Sequence, residues 1–406
     1  MEKNIKVRYP VYLKEFKCIG GCCEDTCCCN WEIYIDKSTF ELYKNLNCEK
    51  IDEQINSNIF IRHKCNNVNI DYGQIKLNHD KYCPFLDKNK YCSIQSKFGE
   101  EYLSNVCANF PRIINKINDY YEMSLDISCI EAAKIVLLKK GGIDFDESQM
   151  EIGKHILMND INTNDYIFEY TNTRYVKEIR DMSIKIIQNR RYELSERLYM
   201  LGSFLESTRK KLCYNYHEAY RFIGEYNIDS FNGEFKRDET NYMLQISFFK
   251  NMLDNLIDFK GYINEDFKFS IDKVVFGFRF NKNESIIENS GMYLNAYEIC
   301  EKNYFQKYNY IFENFLVNHV FKELFPFSES DIMFDDYIMI LVRFSYIRFY
   351  LVGNYLYSGE LSKDDIVKLI QTLTKELEHD ENYLKDILIY LKKHELYSNW
   401  FASVLL

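Results

Sequence analysis

The sequence predicts a mainly α protein, built as a small cysteine-rich α+β region over residues 1–145 and an all-helical domain over residues 150–406. Three observations predict it. Eleven of the fourteen cysteines lie at or before Cys107 and a twelfth is Cys129, so the chain is divided chemically. From about residue 150 apolar residues recur at spacings of three and four, the period of a helix with one buried face. With only 15 glycines and 4 prolines in 406 residues, no linker, low-complexity tract or repeat interrupts the chain.

Taken in order, the first region alternates short apolar runs with turn signals. Asp87-Lys88-Asn89 is one, and Asn118-Asp119, between INKI and YYEMSLDI, is another. Its last element, residues 129–139 (CIEAAKIVLLK), is an amphipathic helix expected to stop at Gly141-Gly142. Helical periodicity then runs through YIFEYTNTRYVKEIRDMSIKIIQ, ERLYMLGSFLESTRKKL and YLNAYEICEKNYFQKYNYIFENFLVNHVFKELF. Residues 259–282, FKGYINEDFKFSIDKVVFGFRFNK, read as strand or loop. Residues 337–357, YIMILVRFSYIRFYLVGNYLY, are apolar over the length of a bilayer core, but Arg343 and Arg348 interrupt them. Each charge would cost about 2.5–3.5 kcal/mol at the bilayer centre, which favours a buried core helix whose arginines reach partners. In LSKDDIVKLIQTLTKEL, Ser362 and Asp365 predict an N-cap and an acidic first turn.

The formal charge of −10 argues against a nucleic-acid partner, since phosphate binding needs clustered Lys and Arg. It suits a cytoplasmic protein with no membrane partner and a substrate that carries positive groups. The opening residues MEKNIKVRYPVYLKEFKC carry charges throughout and no apolar h-region, so no signal peptide is expected.

The stretch CIGGCCEDTCCCNW, residues 18–31, raises three uses for cysteine. Disulfides fit a reducing cytoplasm poorly, and adjacent cysteines bridge one another only under strain. Zinc usually shows C-x2-C knuckles, and the chain contains none. An iron–sulfur cluster accepts looser spacing, because its four corners point apart and can be met from distant loops. The candidate ligands are Cys18, Cys23, Cys27 and Cys28, then Cys83 and Cys92 in YCPFLDKNKYCSIQ, then Cys107 in VCANFPR and Cys129 in SCIEAA. Eight thiols are enough for one cluster or two. Ferredoxin and radical S-adenosylmethionine spacings are both missing. Cys48, Cys65, Cys213 and Cys300 have no partner spacing and read as small buried hydrophobes, and Cys22 and Cys29 stay open between the two readings.

Among polar side chains, Glu313, Asn314 and Asn318 share a face of one helix, and Glu378-His379 closes an amphipathic one. These five are the catalytic candidates, against the commoner role of such groups in tying helices together or facing solvent.

With these motifs in hand, the chain resembles the flagellin lysine-N-methylases, the FliB family, whose N-terminal part is similar to zinc- or iron-chelating cysteine-cluster proteins. FKCIGGCCEDTCCCNW, CPFLDKNKYCSI, GEEYLSNVCANFPRI and SLDISCIEAA carry the resemblance, which continues through ENFLVNHVFKELFPF and LIQTLTKELEH. It implies S-adenosylmethionine-dependent methylation of lysines on flagellin, a protein of the bacterial flagellum. It also implies an iron–sulfur cluster, 4Fe–4S in preference to zinc, that is structural or binds the methyl donor. No Gly-rich loop lies between a strand and a helix, so the donor site is not of Rossmann type and its residues are unassigned. The competing function is a non-catalytic iron–sulfur or zinc module for electron transfer or partner binding.

Overall fold

The computed structural model describes residues 5–406 except 30, 47–48, 153–154, 170, 232–234, 236–238, 260–264, 281–284 and 379–380. The fold is mainly α with a small α+β N-terminal region. It forms two compact units, one of residues 1–135 and 144–162, the other of residues 136–143 and 163–406.

In the first unit, strands β1 (Ile5–Pro10), β5 (Arg112–Ile117), β6 (Tyr120–Leu125), β7 (Phe145–Met150) and β8 (Leu157–Ile161) form one sheet. The order is β7-β1-β6-β5-β8. Burial along β1 follows the period of two that a half-covered strand requires, with Ile5, Val7 and Tyr9 inward and Lys6 exposed. The predicted turn at Asn118-Asp119 closes the β5–β6 hairpin, Asn118 taking the left-handed φ of 57° that asparagine tolerates. A smaller sheet, β2 (Tyr34–Ile35), β3 (Ile59–Ile61) and β4 (Gly73–Ile75) in the order β2-β4-β3, carries a second core around Ile35, Phe40, Tyr43, Phe85 and Ile94.

The second unit is helical among its described residues from Val176 onward. Its buried centre is the helix Met333–Ser358, which spans the apolar stretch read from the sequence. The arginines in it do reach partners: Arg343 Nη2 lies 2.7 Å from Glu329 and Arg348 Nη2 lies 2.6 Å from Glu301. Among the described residues, no helix is long and apolar enough to cross a membrane. The predicted cap at Ser362 is present, its hydroxyl accepting from Asp365 N–H while Asp365 accepts from Ser362 N–H.

Two local expectations are corrected. Of residues 259–282, read as strand or loop, the described ones form the helix Glu265–Gly277 with its flanking ends, and none of them is strand. The signal was a stripe of Phe267, Ile271, Val274 and Phe278 at spacings of four, three and four, all buried. That helix crosses Met333–Ser358 where glycine meets glycine: a Cβ on Gly277 would lie 2.2 Å from the carbonyl oxygen of Gly353. The helix expected over 129–139 is shorter, Ile130–Leu137, and ends ahead of Gly141-Gly142.

Candidate functional site

The loop from Cys18 to Cys29 owes its path to Gly20 and Gly21. Gly20 has φ +56°, and a Cβ on Gly21 would stand 2.3 Å from the Asn89 carbonyl oxygen and 2.7 Å from the Tyr91 ring. Only glycine lets this loop lie against the Asp87–Tyr91 turn, where Asp87 Oδ1 accepts from Asn89 and Tyr91 N–H at 2.8 and 2.9 Å. The next residue of that turn is Cys92. Further along, Cys83 N–H donates to the Cys28 carbonyl at 2.8 Å, and Trp31 Nε1 donates to the Cys27 carbonyl. Glu24 pairs with Lys134 at 2.7 Å, joining the loop to the helix that follows Cys129.

Eight thiols are thereby drawn into two neighbourhoods. Cys83 is part of the core around Phe85 and Ile94, and Cys28, Cys92 and Cys107 pack against that core. Burial pushes the Cys83 thiol up, with Cys28, Cys107 and Cys92 adding to the effect as neighbouring negative groups. Burial likewise raises Cys92, and takes Cys107 up to about 12. The other neighbourhood gathers around Cys129, which burial pushes up to about 11 with Cys23 and Cys18 contributing. Cys27 joins the two: its pKa is raised first by its hydrogen bond with the Cys28 thiol, and it faces Cys107 and Cys129 as well. Consecutive residues ordinarily project apart, but here the two thiols interact, and that interaction draws Cys28 down to about 7.

Backbone N–H groups meet these sulfurs. The N–H groups of Phe85 near Cys83, of Ile94 and Gln95 near Cys92, and of Glu131 and Ala132 near Cys129 pull each pKa down against burial, which favours the thiolate. Cys92 immediately precedes the helix Ser93–Phe98 and Cys129 the helix Ile130–Leu137, so both lie at positive helix ends. Such donors suit metal-bound thiolates, whose charge they stabilise. Among the described residues no three Cys, His, Asp or Glu side chains stand as a group that could hold a single metal ion.

The remaining cysteines divide. Cys29 is buried and its thiol donates to the Thr26 carbonyl at 3.2 Å, while Cys22 is exposed. Cys300 is buried as expected, and burial pushes its thiol up to about 12. Cys65 is half-buried, with its thiol 3.5 Å from Asp71 Oδ1. Cys213 corrects the sequence reading: it is exposed, on the outer face of the helix Leu194–Tyr214. Cys48 lies outside the described residues.

In the helical unit, Glu313 is buried and clamped by Arg197 Nη1 at 2.6 Å and by Arg190 Nη2 at 2.8 Å. Asn314 Nδ2 donates to the carbonyls of Val136, Leu137 and Lys139 at 3.1, 3.2 and 2.8 Å, closing the end of the helix Ile130–Leu137. Asn318 is also buried. His379 and the side chain of Glu378 lie outside what the structure describes.

Sequence reasoning passed over another part of this unit. A cavity of about 280 Å³ is lined by Glu193, Glu196, Glu301, Phe305, Phe344 and Arg348, among others. A second cavity of about 300 Å³ shares Glu301 and Gln306 with it. Glu301–Phe305 is a π-helical turn, a backbone irregularity frequent at functional sites and without a signature in residue types. Arg348 was the only visible signal, as a charge in an apolar run.

Residues 180–405 match the family described as the FliB lysine N-methylase C-terminal domain, more than half of the chain. Over 136 residues the chain is 32% identical to the flagellar biosynthetic protein FliU of Salmonella muenchen, covering 33% of this chain and 79% of that protein. It is also 32% identical over 136 residues to the lysine-N-methylase of Salmonella typhimurium, covering 33% of each chain. The lysine-N-methylase of Salmonella choleraesuis gives the same figures, so the match spans about a third of these two relatives. No solved structure matches the chain.

Proposed function

Because the chain belongs to the FliB lysine N-methylase family, we propose that it is a protein-lysine N-methyltransferase that carries methyl groups from S-adenosylmethionine to flagellin lysines. The observation that carries this reading is the family match across residues 180–405. Names of relatives supply the rest: two are lysine-N-methylases, and a third is a flagellar biosynthetic protein.

The reaction asks little acid–base chemistry of the protein. A neutral amine attacks the sulfonium methyl in line, the C–S bond breaks as the N–C bond forms, and a proton leaves the amine. The protein must hold donor and acceptor in register and exclude water. In the cysteine-rich unit, Cys28, Cys83, Cys92 and Cys107 in one neighbourhood, with Cys18, Cys23, Cys27 and Cys129 in the other, would hold iron–sulfur clusters of the 4Fe–4S kind. Bound by all four thiolates, such a group would cross-link the fold; bound by three, it would leave one iron for the donor's amino and carboxylate groups. The N–H groups at Cys83, Cys92 and Cys129 fit thiolates in either role.

Anaerobically purified protein incubated with flagellin and methyl-labelled S-adenosylmethionine should place label on flagellin lysines. Metal-loaded protein that leaves flagellin unlabelled overturns the enzyme reading and puts an electron-transfer or partner-binding module in its place. Visible absorption with matching iron and sulfide is expected; colourless protein with stoichiometric zinc overturns the cluster.

A further inference from the structure

We propose that the cavity at the π turn receives the side chain of the lysine to be methylated, an inference that rests on the reading of the chain as a lysine methylase. A lysine side chain is a flexible apolar stem ending in a cation, and the cavity matches both parts. Its walls include Phe305, Phe312 and Phe344, all buried, which suit a methylene stem. Of its charged residues, three are carboxylates and one is a guanidinium.

That guanidinium is already engaged. Arg348 Nη2 pairs with Glu301 at 2.6 Å, Nη1 donates to the Leu406 carbonyl at 3.2 Å, and its plane lies 4.7–5.2 Å from the ring centres of Tyr297, Phe344 and Phe305. Glu193 and Glu196 remain toward the exposed side, so the lining as a whole is negative. An anion fits worse. The helix Leu194–Tyr214 starts at this cavity, but the Glu193 and Glu196 capping box already occupies its first N–H groups with carboxylates.

The π turn assembles the site. Gln306 N–H donates to the Glu301 carbonyl at 3.0 Å, the five-residue closure that stacks these two residues on one face. In an α-helix they would stand about 140° apart, at about 100° per residue. Space is adequate: the five heavy atoms of a lysine side chain need about 150 Å³ if each takes the share of a liquid water. The remainder of the 280 Å³ can admit the methyl being transferred.

The test uses the full-length protein and a blocked pentapeptide with one central lysine, beside the same peptide carrying norleucine. Binding is read by saturation-transfer NMR without turnover, and KM by methyl transfer to the lysine peptide. Wild-type protein should prefer the lysine peptide, and Glu301→Gln should weaken that peptide about tenfold, the loss of one charged contact. Glu196→Gln, which preserves the capping box, should raise its KM several-fold without lowering the melting temperature. The norleucine peptide should be indifferent to both changes. Equal binding of the two peptides to wild type, or unchanged lysine-peptide affinity and KM in both variants, overturns the cavity assignment. If wild type methylates lysine while the variants keep its KM, the cavity alone falls; if wild type methylates no lysine, the functional reading falls with it.

Discussion

Glu313 and Asp336 are both buried carboxylates, yet their surroundings give them opposite consequences. Glu313 faces two guanidinium groups, those of Arg190 and Arg197, and Arg197 is itself buried. Glu313→Gln should lower unfolding stability by about 3 kcal/mol, because removing one partner leaves buried positive charge uncompensated. Urea denaturation measures that loss; a variant of wild-type stability without activity would instead make Glu313 a catalytic group. Among the described residues no cation pairs with Asp336: it accepts from Ser328 and Glu329 N–H at 2.9 Å, and burial raises its pKa from 3.8 to about 6. The folded state therefore holds this proton more tightly than the unfolded chain. Its contribution is present below about pH 4 and is lost as pH rises to about 6, at up to about 1.4 kcal/mol per pH unit. Asp336→Asn should flatten that part of the stability profile in urea titrations across this window, and an unchanged slope would show that Asp336 is not its source. At this scale the sequence showed which side chains were unusual, such as arginines in an apolar run and thiols in a cluster, but not their partners. Glu313 and Asn314, adjacent on one helix, turn to different partners, and the groups that bind them come from more than a hundred residues away.

At the scale of elements, local signals were well marked. Ser362 and Asp365 cap a helix, Asn118 turns a hairpin, and Asp87 turns the loop before Cys92. Contacts between elements were invisible, and the glycine crossing shows why: Gly277 and Gly353 look like isolated residues until two helices pack backbone to backbone. Gly277→Ala should cost about 3 kcal/mol, since its Cβ would meet the Gly353 carbonyl at 2.2 Å, a backbone atom that cannot swing aside. Gly353→Ala, with nearest atoms at 3.0–3.1 Å, should cost about 1 kcal/mol. Thermal melting of the two variants checks the order; equal melting points would mean that the crossing relaxes.

Across the whole molecule, composition foretold the division into a thiol-rich α+β part and a helical part, because cysteine content and apolar period change along the chain. It did not foretell that residues 136–143 join the helical unit, where Asn314 holds the carbonyls of Val136, Leu137 and Lys139. The thiol neighbourhoods were half legible: the eight residues stood out, but their grouping depends on a loop path set by Gly20 and Gly21. If the proposed clusters form, Cys83→Ser and Cys129→Ser, each made alone, should lower iron and sulfide by separate portions for separate sites and remove the same portion for a single one; iron and sulfide unchanged in both variants would overturn the cluster assignment. Cys213→Ser should change stability by less than about 0.5 kcal/mol, as its exposure dictates.

The π turn at Glu301–Phe305 also determines how the chain tolerates changes in length. Such a turn accommodates one residue more than regular helix would, so deleting a residue from 302–304 would let the segment relax to α geometry. Residues after it would keep their phase relative to the helix before it, so Glu313 would stay at its arginines and Asn314 at its carbonyls. The same deletion in the regular helix Asn309–Lys322, ahead of Glu313, would turn both by about 100°. A one-residue deletion within 302–304 should therefore leave a folded protein, while one within 310–312 should abolish folding, as thermal melting of the two variants would show.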